Sequence, residues 1–168
     1  MELKSRSIIH MAVTQSPTDK WTAQQLREAT PWGKGPKYLF HDRDSKYGMQ
    51  FSSVAAGSGI KEIRTPYRAP RANGVCERFM GSLRRECLDH TLIFHGKHSQ
   101  RVVKEYTTYF NQERPHQGIG QHNPNFYGKP NAKPTGRITS KAILECLHHS
   151  YSRDIYQLTG PNPSKDFL

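Results

Sequence analysis

The spacing of apolar and polar positions changes period several times along this chain, and each change marks an element. Ile8 to Val13, in SIIHMAVT, is a short apolar run with β-branched residues and reads as a strand. The following SPTDKWTAQQLREAT carries a helix start: Ser16 as N-cap, Pro17 in the first turn and Asp19 near the N-terminus, then Trp21, Gln25, Leu26 and Ala29. Thr30 and Pro31 close it. KYLFH, residues 37 to 41, reads as a strand whose apolar continuity predicts burial on both faces. Phe51 to Ala56 reads as a short helix stopped by Gly57 and Gly59, and Ile60 to Ile63 as a short strand. The Ile8–Val13 strand, the helix after it and the 37–41 strand, in this order, predict a crossover unit of an α/β sheet.

The stretch from Arg64 to Leu88 has a different texture. Pro66, Arg68, Pro70 and Arg71 make an extended basic loop, because each proline fixes its own φ and pushes the residue before it out of the helical region. After Pro70 nothing breaks a helix until His90. Cys76, Phe79, Met80, Leu83 and Cys87 recur at spacings of three, four and seven, the pattern of a helix lying on a core. A second amphipathic helix runs from about Ser99 to Gln112, with Val102, Val103, Tyr106, Tyr109 and Phe110 on its apolar face and Arg114-Pro115 ending it.

Residues 118–136 are rich in Gly, Pro and Asn and read as a linker. They divide the chain into a core over 1–117 and a tail over 137–168, in which RITSKAILECLHHSYSR has the pattern of a short β-hairpin.

Composition narrows what such a chain can do. Apolar residues are 34 % of the total, low for a globular protein, so the core is confined to part of the chain. Lys plus Arg number 25 against 14 Asp plus Glu, a net charge of +11 spread along the sequence, which favours a polyanionic partner and makes nucleic acid the default. No apolar run approaches the about 20 residues that span a bilayer, and MELKSRS has no signal-peptide apolar segment. A cytoplasmic, DNA-associated protein with neither a membrane nor a small-molecule substrate as partner is expected. Cys76, Cys87 and Cys146 read as reduced residues, with no CxxC pair to suggest zinc.

Two acidic groups stand out. Asp42 follows the 37–41 strand directly, in His41-Asp42-Arg43-Asp44-Ser45-Lys46-Tyr47-Gly48, where a carboxylate projects into the crevice at the C-terminal edge of a sheet. An Asx turn accounts for Asp and Ser there equally well. Glu77 lies at the edge of the apolar stripe with Arg84 two turns along, and suits either a metal or phosphate site or a solvated position favoured by the helix dipole.

Three motifs in order, HDRDSKYG, PYRAPRANGVCERFMGSLRRECLDH and FNQERPHQGIG, resemble the catalytic core of insertion-sequence transposases and retroviral integrases, the DDE polynucleotidyl transferases. The resemblance covers residues 7 to 120 or so. It implies an α/β, ribonuclease H-like mixed sheet flanked by helices, here lacking the first strand or strands, with an extended C-terminal arm. In that family three acids hold two Mg²⁺ (or Mn²⁺) ions for in-line attack on a phosphodiester. By resemblance Asp42 is the second acid, with Asp44 its local competitor, and Glu77 the third. Lys46, Arg68, Arg71, Asn73, Arg84 and Arg85 become DNA contacts, and the partners become transposon ends, target DNA and a second copy of the chain. His116 is read as capping the turn after Pro115.

The family's first aspartate has no match before Asp19, so the chain is expected to be N-terminally truncated, to bind the metal pair weakly and to be inactive alone. A DNA-binding or assembly remnant without catalysis is the alternative, and a general ribonuclease H-like nuclease a weaker one.

Overall fold

Thr18 starts the first helix. Its hydroxyl accepts a hydrogen bond from the Trp21 N–H at 3.2 Å, so helix α1 runs from Asp19 to Ala29 and Ser16, the expected cap, lies outside it. The computed structural model describes residues 1–31, 35–66, 73–127 and 136–153. Strand β1 (Tyr38–His41), helix α2 (Met49–Gly57) and strand β2 (Lys61–Arg64) follow α1. The two strands are parallel, with Tyr38 opposite Lys61 and His41 opposite Arg64, and α2 is their crossover. Ala23 and Leu26 of α1 pack with Phe51, Val54, Ala55 and Ile60 into one small core.

β1 is not buried on both faces as its apolar run predicts. Leu39 and His41 turn inward, whereas Tyr38 is 45 % exposed and Phe40 51 %. The two helices cover one face of the pair, so the strand alternates with a period of two despite its apolar residues.

A second core gathers helix α3 (Gly74–Glu86), helix α4 (Gly96–Gln112) and the antiparallel hairpin of strands β3 (Ile138–Ile143) and β4 (His148–Arg153). Phe79, Leu83 and Cys87 pack against Val102, Val103, Tyr106 and Phe110, and Ile143 and Leu144 close the cluster. The Phe79 and Phe110 rings meet edge to face at 4.8 Å, a favoured aromatic geometry. The stripe expected on α3 is narrower than its sequence suggests, because Met80 is exposed. The helix also stops before His90: a short 3₁₀ turn, Leu88–His90, replaces its last turn, and the Cys87 carbonyl accepts from the Thr91 hydroxyl. Of the 118–136 stretch, the described part folds back on α4, with Ile119 and Pro124 buried in 3₁₀ turns.

Ile8 to Val13 is no strand among the described residues, so the crossover expected of it, α1 and the 37–41 strand does not form, and the crossover lies one unit later, at β1–α2–β2. Side chains of α4 take the place of a neighbouring strand. Asn111 Oδ1 accepts from the Ile8 N–H and its Nδ2 donates to the Ile8 carbonyl, both at 2.9 Å. Gln100 does the same about three turns away on α4, accepting from the Val13 N–H and donating to the Met11 carbonyl. Backbone groups near a core need partners, and here two amides supply them. His10 then reaches across to Gln25 of α1 at 2.7 Å, tying this segment to the first core.

The second core is held at its open end by Glu86. Arg114 donates to its two carboxylate oxygens at 2.9 and 2.7 Å, and the Tyr106 hydroxyl donates at 2.8 Å. The Glu86 carbonyl lies 2.7 Å from Nε2 of His148 on β4. Arg114 also reaches His116 Nδ1 at 3.4 Å, and His116 Nε2 donates to the Phe110 carbonyl at 3.1 Å. Desolvation alone raises the Glu86 carboxyl, but the Arg114 and Tyr106 hydrogen bonds outweigh it and hold it below the ordinary carboxylate range. Burial lowers the His116 imidazole below its ordinary 6.5.

Both groups are depressed on folding, so each stabilises the fold above its unfolded pKa and loses that contribution as pH falls through its folded one. Urea midpoints measured against pH are expected to decline first below 6.5, from His116, and again below the carboxylate range, from Glu86. His116→Gln removes the first decline. Glu86→Gln, which weakens the charge-assisted bonds, is expected to lower stability by about 2 kcal/mol at neutral pH.

Candidate functional site

The loop after β1 is built around a carboxylate from another helix. Asp19, in the first turn of α1, accepts from the backbone N–H groups of Gly48, Gln50 and Phe51 at 2.9 to 3.0 Å and so caps α2 from outside. Desolvation raises its carboxyl, and the three backbone donors more than reverse that, leaving it below the usual range. Gly48 has to be glycine for this contact, since a Cβ there meets Asp19 Oδ2 at 2.8 Å. The cap fixes residues 42–48 against α1, and the Thr22 hydroxyl donates to the Lys46 carbonyl on the same loop.

Within that loop Asp42 is half-buried, and Oδ1 accepts from the Asp44 N–H at 3.3 Å, an Asx turn. Asp44 is turned to Lys46. Its carboxylate accepts from the Lys46 backbone and Nζ, both at 3.0 Å, and these bonds lower its pKa. The same Asp44 bond raises that of Lys46 and takes up the charge the lysine was expected to offer DNA. Beside them His41 is buried, with Nε2 3.0 Å from Glu62, which also accepts from Ser52. Tyr47 packs on the His41 ring at 4.7 Å. Burial raises the Tyr47 hydroxyl's pKa, and Asp42, Asp44 and Cys76 lie close enough to add to the rise.

Glu77 stands in this first turn, exposed and without a hydrogen bond or ion pair among the described residues. Asn73 occupies the N-cap position of α3, half-buried, and its side chain makes no capping bond. Arg84 and Arg85 are both exposed. Arg84 pairs loosely with Asp89 at 3.4 Å, and Arg85 lies back over Gly81. Arg68 and Arg71 lie outside the described residues.

The sequence reading missed Glu86 and Asp19 as organisers. Glu86 had a signal: an acid in the last turn of a helix opposes the macrodipole and calls for a cation to hold it. Asp19 had none, because the helix it caps is not its own.

The oxygen donors of Asp42 and Glu77 suit a hard divalent ion. Among the described residues no three His, Cys, Asp or Glu side chains come together in a way that could hold one, so the acids present fit a metal in kind and not in number. No helix among the described residues is long and apolar enough to cross a membrane.

Gly48→Ala is expected to push Asp19 off the α2 N-terminus and lower the melting temperature, and Asp19→Asn to do so less. A melting temperature for Gly48→Ala equal to that of the parent chain counts against the external cap.

Residues 58–124 match the family model of an integrase core domain. The span includes Glu77 and the Arg114–His116 turn and leaves out Asp42. The insertion element IS476 uncharacterized 39.2 kDa protein of Xanthomonas euvesicatoria is 24 % identical over 118 residues, covering 70 % of this chain and 34 % of that protein. The chain thus spans about a third of the length of this curated relative. A chain of the cryo-electron-microscopy structure of the simian T-cell lymphotropic virus intasome, in complex with PP2A regulatory subunit B56 gamma, superposes with a TM-score of 0.57 at 14 % identity. The match covers 84 % of this chain and 54 % of that one, and at such identity it speaks for the fold. The parallel crossover and the match of residues 58–124 to an integrase core domain agree in supporting a DDE transposase and integrase core, and the structural likeness supports a ribonuclease H-like fold.

Proposed function

We propose that the chain acts in DNA integration, binding DNA along α3 and presenting Asp42 and Glu77 to a phosphodiester undergoing metal-dependent strand transfer. The observation that carries this reading is the contrast among its acids. Asp19, Glu62 and Glu86 are committed to caps, a histidine and an arginine, whereas Glu77 is exposed and unpaired within the integrase-core span. A carboxylate left solvated beside arginines is free to meet a cation that DNA phosphates share. Mg²⁺ or Mn²⁺, when bound, supplies Lewis-acid charge at the phosphoryl oxygens. Asp42 and Glu77 are the residues that would hold it, and Arg84 and Arg85 would steady the phosphate backbone. The partners are the ends of a mobile element, its target and a second copy of the chain.

A second reading rests on the absence of a third ligand among the described residues. Two carboxylates leave a metal pair without its full anionic set. The 168-residue chain by itself then binds DNA without turnover.

Duplex DNA binding by the purified chain is expected to weaken steeply with salt. Neutralising Arg84 and Arg85 together reduces the log–log slope by about 2. Salt-independent or absent binding overturns the DNA reading. Strand transfer by the chain with Mn²⁺, lost in Asp42→Asn and Glu77→Gln, establishes catalysis and rejects the silent remnant. DNA binding without transfer, restored by adding a polypeptide that supplies a further acid, supports it.

A further inference from the structure

A cavity of about 450 Å³ opens on the flank of α3 away from Glu77, between Val75, Arg78 and Ser82 of that helix, Phe110 and the Arg114–Gly118 turn, and Arg6. Among the described residues no acidic side chain lines it. Its floor is aromatic, from Phe79 and Phe110, and three arginines reach its walls. Glu86 offsets the charge of Arg114. Arg6 and Arg78 have no ion pair or hydrogen bond among the described residues.

Three further features mark this as a prepared site. Arg6 is held at φ +66°, a left-handed conformation that a non-glycine residue adopts at a cost. The turn that imposes it is closed by the Glu2 N–H on the Ser7 carbonyl at 2.8 Å and by the Ser7 N–H on Ser5 Oγ at 3.2 Å. Ser82 lines the cavity, is only 9 % exposed, and its hydroxyl has no hydrogen-bond partner among the described residues. His116, whose pKa is lowered first by burial, is lowered further by Arg114 and by Arg6, so the Arg6 charge reaches into the same space.

Unpaired guanidinium groups around a half-enclosed, apolar-floored space call for an anion, and their planar forks match phosphate oxygens. The volume falls within the range of small-ligand sites. A flat apolar floor beside such a phosphate site suits a nucleobase. We propose that this cavity takes one phosphate-bearing nucleotide unit of a DNA strand, with Arg6 and Arg78 on the phosphate and Ser82 donating to it. DNA as the source rests on the integration reading above, whereas the match of the cavity to a nucleotide phosphate does not.

Calorimetric titration of the full chain with thymidine 5′-monophosphate, thymidine, inorganic phosphate and a single-stranded oligothymidylate separates the two. The monophosphate is expected to bind more tightly than phosphate, and thymidine weakly. Arg6→Gln and Arg78→Gln are each expected to weaken monophosphate and oligonucleotide binding by roughly tenfold, and Ser82→Ala by a smaller factor. Arg78 is exposed on α3, so its substitution leaves the core intact, and unchanged melting verifies this. Monophosphate binding that is absent, or indifferent to all three substitutions, overturns the site. If the oligonucleotide still binds in that case and depends on Arg84 and Arg85, the integration reading stands. Monophosphate binding that depends on Arg6 and Arg78, with no oligonucleotide binding, supports the site and overturns DNA as its source. Phosphate binding as tight as the monophosphate overturns the nucleotide assignment.

Discussion

The contact on which the second core depends is the fork of Arg114 on Glu86. Glu86 ends α3, Arg114 follows α4, Tyr106 comes from the middle of α4, and His148 approaches the same residue from β4. A bidentate pair fixes both distance and angle, which a single bond does not. Arg114 and Tyr106 are thereby held at one carboxylate, and His148 at the backbone carbonyl of the same residue. Phe79 and Phe110 then pack edge to face beneath it, and the outward face of α3, with Glu77, Arg84 and Arg85, follows from how the inward face is held.

The first core uses a carboxylate for a different purpose. Asp19 satisfies three backbone donors at the start of α2, so the loop carrying Asp42 has its far end fixed to α1. A helix end without partners is costly, and a carboxylate there also meets the positive end of the dipole. Asp42 gains its position from this cap without contributing to it. The acids therefore divide into those that hold the fold and those that remain free for chemistry. His10 on Gln25 joins the N-terminal segment, which packs on the second core, to the first core.

The amides of α4 show how far such substitution can go. Ile8 to Val13 has the composition of a strand, and in a wider sheet it would pair as one. Asn111 and Gln100 offer the same donors and acceptors from a helix, and the Ile8 N–H and carbonyl, the Met11 carbonyl and the Val13 N–H find their partners there. Composition reports that backbone groups need partners without reporting whose they will be.

What the sequence determined by itself was local and periodic. The two amphipathic helices and the short strands around 38–41 and 61–64 follow from spacing and backbone preference, which act within a few residues. Glu77 on a core-edge helix and Asp42 after a strand were legible for the same reason. Tertiary structure alone decided which acids are free. Asp19 looks no different from Glu77 in sequence, and Glu86 differs only by its place in the last turn of α3; the positions of Arg114 and of the α2 amides, brought close by folding, make both structural. The cavity beside α3 is of that second kind, since Arg6, Arg78 and Ser82 meet only when the N-terminal turn lies against the helix. Electrostatic partners act through space, and a chain read in order does not reveal who faces whom.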